Sequence, residues 1–271
     1  AWVDPGATAS DSLDGNLTGS ITITGTVDVN TTGVYTLTYS ISDGASNEAN
    51  ATRVVNVGQA STHNADLNAS VQLQMLWVEP GTFTMGSPTT ETGREASKEQ
   101  EHNVALTQGF YLGKYEVTQA QYEAVMAGNA EGLASNPVSP QFKDPYKPVV
   151  QLNYADVQVF LKHLNEKQKS VVANGWEFTL PTEAQWEYAC RAGTTTAYSW
   201  GDELSPEQAN YNWDGYWDNG NDYRLRTVGN YASNRWGFFD MHGNVSEWIR
   251  GWYRTYSEGN ITDPEYEDID A

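Results

Sequence analysis

A single cysteine, Cys190, occurs among 271 residues, so no disulfide can form within the chain and no cysteine-built zinc cage is possible. Histidine is nearly as scarce. The four residues stand at positions 63, 102, 163 and 242, with none of the short spacings by which imidazoles share a metal. Basic residues number 15 against 35 Asp and Glu, a net charge of -20, which opposes nucleic acid and anionic membrane surfaces as partners because both require a basic footprint. Cations are the favoured company. No apolar run approaches the roughly 18 residues of a membrane-inserted helix, and a hydrophobic content of 39% excludes a disordered chain. The opening Ala1-Trp2-Val3-Asp4 has neither Met, basic segment nor apolar leader core, and reads as a processed or shortened N-terminus.

What is abundant is glycine and aromatic surface: 24 Gly, 10 Trp and 16 Tyr in a chain only 18% charged. That balance favours a turn-rich fold pinned by aromatics over a helical bundle. Residues 1–57 are rich in Thr, Ser, Gly and Val, with period-two stretches at Ser20-Ile21-Thr22-Ile23-Thr24 and Tyr35-Thr36-Leu37-Thr38-Tyr39-Ser40. Such alternation predicts a small antiparallel β-sandwich. Residues 58–70 are small and polar without periodicity and read as a linker. Residues 71–271 mix short strands, helix signatures and long Gly/Asn/Asp loops, which predicts an α+β domain with much irregular structure.

Helix starts are marked by caps. Thr118-Gln119-Ala120-Gln121 and Thr182-Glu183-Ala184-Gln185 both fit the reciprocal capping box. Tyr122, Val125 and Met126 share one face of the first helix; Val157, Phe160, Leu161 and Leu164 form the stripe of a second; Trp186 and Ala189 point inward from a third. All are read as core. The acidic runs at 91–101 and 265–270 are read as solvated surface or loop.

Five ordered blocks carry a family resemblance. They are Met75-Leu76-Trp77-Val78-Glu79-Pro80-Gly81-Thr82-Phe83-Thr84-Met85-Gly86-Ser87, Lys114-Tyr115-Glu116-Val117-Thr118-Gln119, Lys147-Pro148-Val149-Val150, Leu180-Pro181-Thr182-Glu183-Ala184-Gln185-Trp186-Glu187-Tyr188-Ala189, and Trp236-Gly237-Phe238-Phe239-Asp240-Met241-His242-Gly243-Asn244-Val245-Ser246-Glu247-Trp248. Residues 71–271 thereby resemble the formylglycine-generating enzyme family, also called sulfatase-modifying factor domains, and the resemblance implies an α+β, C-type-lectin-like fold. In the first segment, Asp4-Pro5-Gly6, Leu13-Asp14-Gly15-Asn16-Leu17 and Asp43-Gly44-Ala45-Ser46-Asn47 resemble bacterial immunoglobulin-like repeats of surface proteins. The resemblance implies a cell-surface setting; those repeats begin with a strand before the Asp-Pro-Gly that is absent here, so either the chain is clipped or a neighbour supplies that strand.

The resemblance implies two calcium sites. One uses the side chains of Asp240 and Glu247 with the carbonyls of Gly243 and Val245; the other uses Asn210, the Tyr211 carbonyl, Asp222 and the Arg224 carbonyl. Such mixtures of carboxylate and carbonyl oxygens suit a hard cation. The family's oxidases also hold copper between two cysteines. Soft thiolates select copper(I), and with one cysteine no copper is expected in this chain. Cys190 reads as a buried, inert thiol that Arg191 would activate only if exposed, and His242 reads as turned away from chemistry. Three functions stay open: a non-catalytic, calcium-stabilised extracellular module binding protein, glycan or like subunits; a formylglycine-generating oxidase with its cysteine pair beyond residue 271; and a subunit that assembles by strand donation.

Overall fold

The computed structural model describes residues 4–28, 33–57, 61–173, 175–211, 225–252, 256 and 259–265. The chain divides into two compact units, Ala1–Ala60 and Ser61–Ala271.

In the first unit, β1 (Ser10–Asp11) and β2 (Gly15–Asn16) form a minimal ladder. Strands β3 (Thr22–Thr24), β4 (Gly33–Ser42) and β5 (Glu48–Val57) form an antiparallel sheet in the order β3-β4-β5. The β4–β5 hairpin runs in register from Gly33 opposite Val57 to Ser42 opposite Glu48. Its turn closes on Asp43, whose Oδ1 accepts from the amides of Ala45 and Asn47 at 2.9 and 2.8 Å, the local side-chain bonding that makes Asp a turn former. Alternation puts Leu37 and Tyr39 on the covered face, where both are buried. On that face Arg53 pairs with Asp4 and donates to the Tyr39 hydroxyl at 3.0 Å and the Gly6 carbonyl at 2.9 Å. The described residues therefore hold one three-stranded sheet and a two-residue ladder, less than a complete two-layered sandwich.

The second unit is α+β. Strands β6 (Thr62–Asp66), β7 (Gln72–Val78) and β10 (Phe110–Gly113) form an antiparallel sheet in the order β10-β7-β6. Strands β8 (Gly81–Met85) and β9 (His102–Leu106) pair antiparallel, and β11 (Asn260–Thr262) adds to β9 in parallel. The helices are α1 (Gln119–Met126), α2 (Tyr154–Gln168) and α3 (Glu183–Arg191). Both expected capping boxes are formed, at Thr118 and Thr182. Asn153 and Asp156 make a third at the start of α2.

Two cores result. Tyr122, Val125 and Met126 of α1 pack with Phe160 and Leu164 of α2 over Ala65, Leu67 and Leu73. Tyr188, Ala189 and Cys190 of α3 pack with Val78, Met85, Val104, Phe238 and Met241. The stretch expected to be linker differs: within 58–70, Thr62–Asp66 is strand β6, paired along its whole length with β7. Its hydrophobic period is carried by small Ala65 and by Leu67 just past the strand, each about 1% exposed, so composition hides a strand that burial defines.

Candidate functional site

The expected site lies on the segment after Asn234, which the second core holds in place. Asn234 Nδ2 donates to the Ala189 and Cys190 carbonyls at 2.7 and 3.2 Å, occupying orphan acceptors at the C-terminal end of α3. Its Oδ1 accepts from the amides of Trp236 and Phe238. Phe238 is buried at 1% exposure, and the Phe239 amide donates to the Lys114 carbonyl at 3.1 Å. These anchors bring Asp240 beside the stretch joining β10 to α1. Asp240 and Asn244 both take left-handed backbone angles, φ 57° and 65°, a conformation Asp and Asn tolerate better than most residues. Between them, a Cβ on Gly243 would stand 2.4 Å from the Asn210 carbonyl oxygen, so the turn closes only with glycine.

Asp240 Oδ2 accepts from the Gly229 amide at 2.6 Å, while Oδ1 is buried without a hydrogen-bond partner. Burial raises its carboxyl above the ordinary range, against the pull of that amide. Glu247 is an exposed residue. Its carboxyl is nevertheless raised, first by loss of water on its crowded side and then by Asp240; the neighbouring Trp186 indole opposes the rise without reaching hydrogen-bond geometry. The Gly243 carbonyl accepts from the Val245 amide at 2.9 Å. Asn210 joins the turn through its carbonyl, which accepts from the Asn244 amide at 2.9 Å, and through its Nδ2, which donates to Asn244 Oδ1 at 3.0 Å. The Tyr211 hydroxyl reaches the Leu204 carbonyl at 3.5 Å. Asp222 and Arg224, assigned to the second site, lie outside the described residues.

Sequence reasoning missed Glu116. It is 6% exposed, its Oε2 accepts from Asn244 Nδ2 at 2.7 Å, and its Oε1 is buried with no partner. Burial pushes its carboxyl up to about 9; Asn244 works against this, and the charges of Glu247 and Asp240 add to it. An unpaired buried carboxylate is costly in an interior, and Glu116 and Asp240 each have one such oxygen. They fit an oxygen-seeking cation better than any protein donor present. Among the described residues no three His, Cys, Asp or Glu side chains converge as metal ligands, so any cation at this turn would have to draw most of its shell from carbonyls and water.

His242 does not simply turn away. Its Nε2 accepts from the Ser199 amide at 3.1 Å and lies 3.6 Å from Cys190 Sγ, and Trp200 and Tyr198 meet the ring edge-on. His242, Ser199 and Trp200 line a small cleft with Asn210, Asp240 and Asn244. Cys190 and His242 are not an activated pair. Burial pushes the Cys190 thiol up to about 12 and the His242 imidazole down to about 4. Arg191, adjacent in sequence, instead grips Glu187 and the Gly86 carbonyl at 2.7 and 2.6 Å. Thiol and imidazole are both neutral at pH 7, whereas nucleophilic cysteines need thiolate character.

Residues 1–57 match a model described as bacterial surface protein, Ig-like domain. The chain is 28% identical to the chaperone protein LppX of Paenibacillus barcinonensis over 69% of this chain and 74% of that protein. It is 38% identical to a formylglycine-generating enzyme of Mycobacterium tuberculosis over 37% of this chain, spanning about a third of that enzyme (32%). The structure of PvdO from Pseudomonas aeruginosa superposes with a TM-score of 0.56 at 25% identity, covering 75% of this chain and 87% of that one. Residues 60–267 match the sulfatase-modifying factor enzyme 1-like domain model, well over half of the chain, and the protein belongs to that family.

Proposed function

We propose that this protein is a calcium-held, non-catalytic binding module of the sulfatase-modifying factor family, carried on a bacterial surface behind an immunoglobulin-like unit. One observation carries the reading: Glu116 Oε1 and Asp240 Oδ1 are buried without a hydrogen-bond partner, and the other Glu116 oxygen is bonded to Asn244 of the same turn. Glu116 and Asp240, with the carbonyls of Gly243 and Val245 and with water, would hold the ion, and Asn210 and Tyr211 would supply part of a second site alongside Asp222 and Arg224. Bound calcium supplies charge neutralisation and cross-links loops. The chain's own residues do the rest: Asn244 ties Glu116 to Asn210, and Gly229 fixes the second Asp240 oxygen.

The surface setting is supported by the match of residues 1–57, and no helix among the described residues is long and apolar enough to cross a membrane. A protein partner is favoured by the likeness to a relative named a chaperone. Exposed Trp248, edge-on to Tyr154 at 5.6 Å, offers aromatic surface to a peptide or glycan. Titration calorimetry of calcium into chelator-stripped protein tests the site. Saturable binding in the full chain, weakened by Asp240→Asn, supports it; absence of binding rejects it.

A second reading follows from the mycobacterial likeness, that of an oxidase acting on a protein cysteine. Its chemistry requires a thiolate pair that a chain with one cysteine lacks, so it depends on cysteines beyond residue 271, and the adjoining gene sequence decides it. Strand donation is favoured by β5, which among the described residues pairs on one side only. A strict monomer in light scattering opposes assembly by that route.

A further inference from the structure

Six Asn-x-Ser/Thr triplets occur in the chain, at Asn16, Asn30, Asn50, Asn68, Asn244 and Asn260, none with proline at the centre. Five have an acidic residue two places before the asparagine: Asp14, Asp28, Glu48, Asp66 and Glu258. Acidic residues fill 35 of 271 positions, about one in eight, so chance places about one of them before six triplets. The excess points to a recognised five-residue pattern.

The structure separates the exception from the rest. Asn244, preceded by His242, is half-buried with both ends of its amide in use. Its Nδ2 donates to Glu116 and to the Arg226 carbonyl, and its Oδ1 accepts from Asn210 and from the Arg226 amide. A sugar on that nitrogen would break the turn. Asn16, Asn50 and Asn68 are exposed, as are their acidic partners Asp14, Glu48 and Asp66. Asn16 ends β2, Asn50 lies on the edge strand β5, and Asn68 sits in the turn between β6 and β7. Where these side chains are engaged, it is through the oxygen: Asn16 Oδ1 accepts from the Thr18 amide at 3.0 Å, and Asn68 Oδ1 from the Ser70 amide at 2.9 Å and hydroxyl at 3.2 Å and from the Val71 amide at 3.0 Å. Among the described residues no hydrogen bond uses their amide nitrogens. Asp14 and Asp66 each accept one hydrogen bond, from the Gly44 amide and Gln72 Nε2, and keep an exposed carboxylate.

We propose that Asn16, Asn50 and Asn68 are N-glycosylation acceptors for an oligosaccharyltransferase whose peptide site pairs a basic group with the carboxylate two places before the asparagine and reads the hydroxyl two places after it. The asparagine nitrogen bonds to the anomeric carbon of a phosphate-activated glycosyl donor. The anomeric carbon–oxygen bond breaks, its electron pair leaves with the phosphate, and the amide gives up one proton to a base. No oxidant or reductant is needed. Asn30 and the acid before Asn260 lie outside the described residues, so the proposal rests on the other three.

Intact-mass measurement and glycopeptide sequencing of the protein isolated from its own cells test the proposal. Sugar is expected on Asn16, Asn50 and Asn68 and absent from Asn244. Asp66→Asn and Glu48→Gln, which keep shape and remove only charge, should lower occupancy tenfold or more at Asn68 and Asn50 respectively while leaving the other sites occupied. Ser70→Ala should abolish modification of Asn68. Bare asparagines at all three positions, or occupancy indifferent to loss of the carboxylates, would overturn the proposal.

Discussion

Glu116 has one oxygen bonded to Asn244 and the other without a hydrogen-bond partner, so without a cation its burial favours the protonated form. Glu116→Gln should therefore have two opposite effects: calcium affinity falls by about tenfold or more, while the melt in chelator stays level or rises, because a neutral amide replaces a buried acid. Titration calorimetry and paired melts read both. Cys190 is the counter-case, since burial raises its thiol with no cation or base to recover the thiolate. Alkylation of Cys190 at pH 8 should be slow in the folded protein and fast in denaturant, followed by mass; fast labelling of the native form would restore a reactive-thiol reading. Asp240, Gly243, Val245 and Glu247 stand out in the sequence as a group because they share one eight-residue block. Glu116 was not, because 128 residues separate it from the Asn244 that positions it, and no periodicity links them. The Cys190–His242 contact was hidden in the same way, across 52 residues.

At the scale of elements, local chemistry was readable wherever a side chain bonds its own backbone. Thr118 and Thr182 announced α1 and α3 by their spacing to Gln121 and Gln185, and both boxes form. Thr182→Ala should cost about 1 kcal/mol, measured by urea unfolding, and the loss matters to the site because α3 presents the carbonyls that Asn234 holds. Strand β6 was not readable, since its small residues match linker composition and only pairing with β7 identifies it. The immunoglobulin-like segment was readable as β by its alternation, although its described sheet has three strands. Glycans at Asn50 and Asn68 would sit on an edge strand and an exposed turn, positions where added bulk obstructs no core.

For the molecule as a whole, a charge of -20 disfavours the compact state through self-repulsion, and a divalent cation bound at Glu116 and Asp240 would relieve part of it. The pH dependence follows from Glu116, whose carboxyl is raised from 4.5 to about 9. A raised folded value contributes stability that is complete below the unfolded value and lost as pH climbs through the folded one. In excess chelator the protein should therefore be most stable in mild acid and weaken steadily toward pH of about 9. Calcium should reverse the trend, since binding needs the deprotonated form. The most direct test is the thermal midpoint of the full chain with calcium at about a hundredfold excess over its dissociation constant, against the same sample in excess chelator at neutral pH. Such saturation is worth about 2.7 kcal/mol, so the chelated midpoint should lie about 5–10 °C lower. Superimposable melts would contradict a calcium-held scaffold.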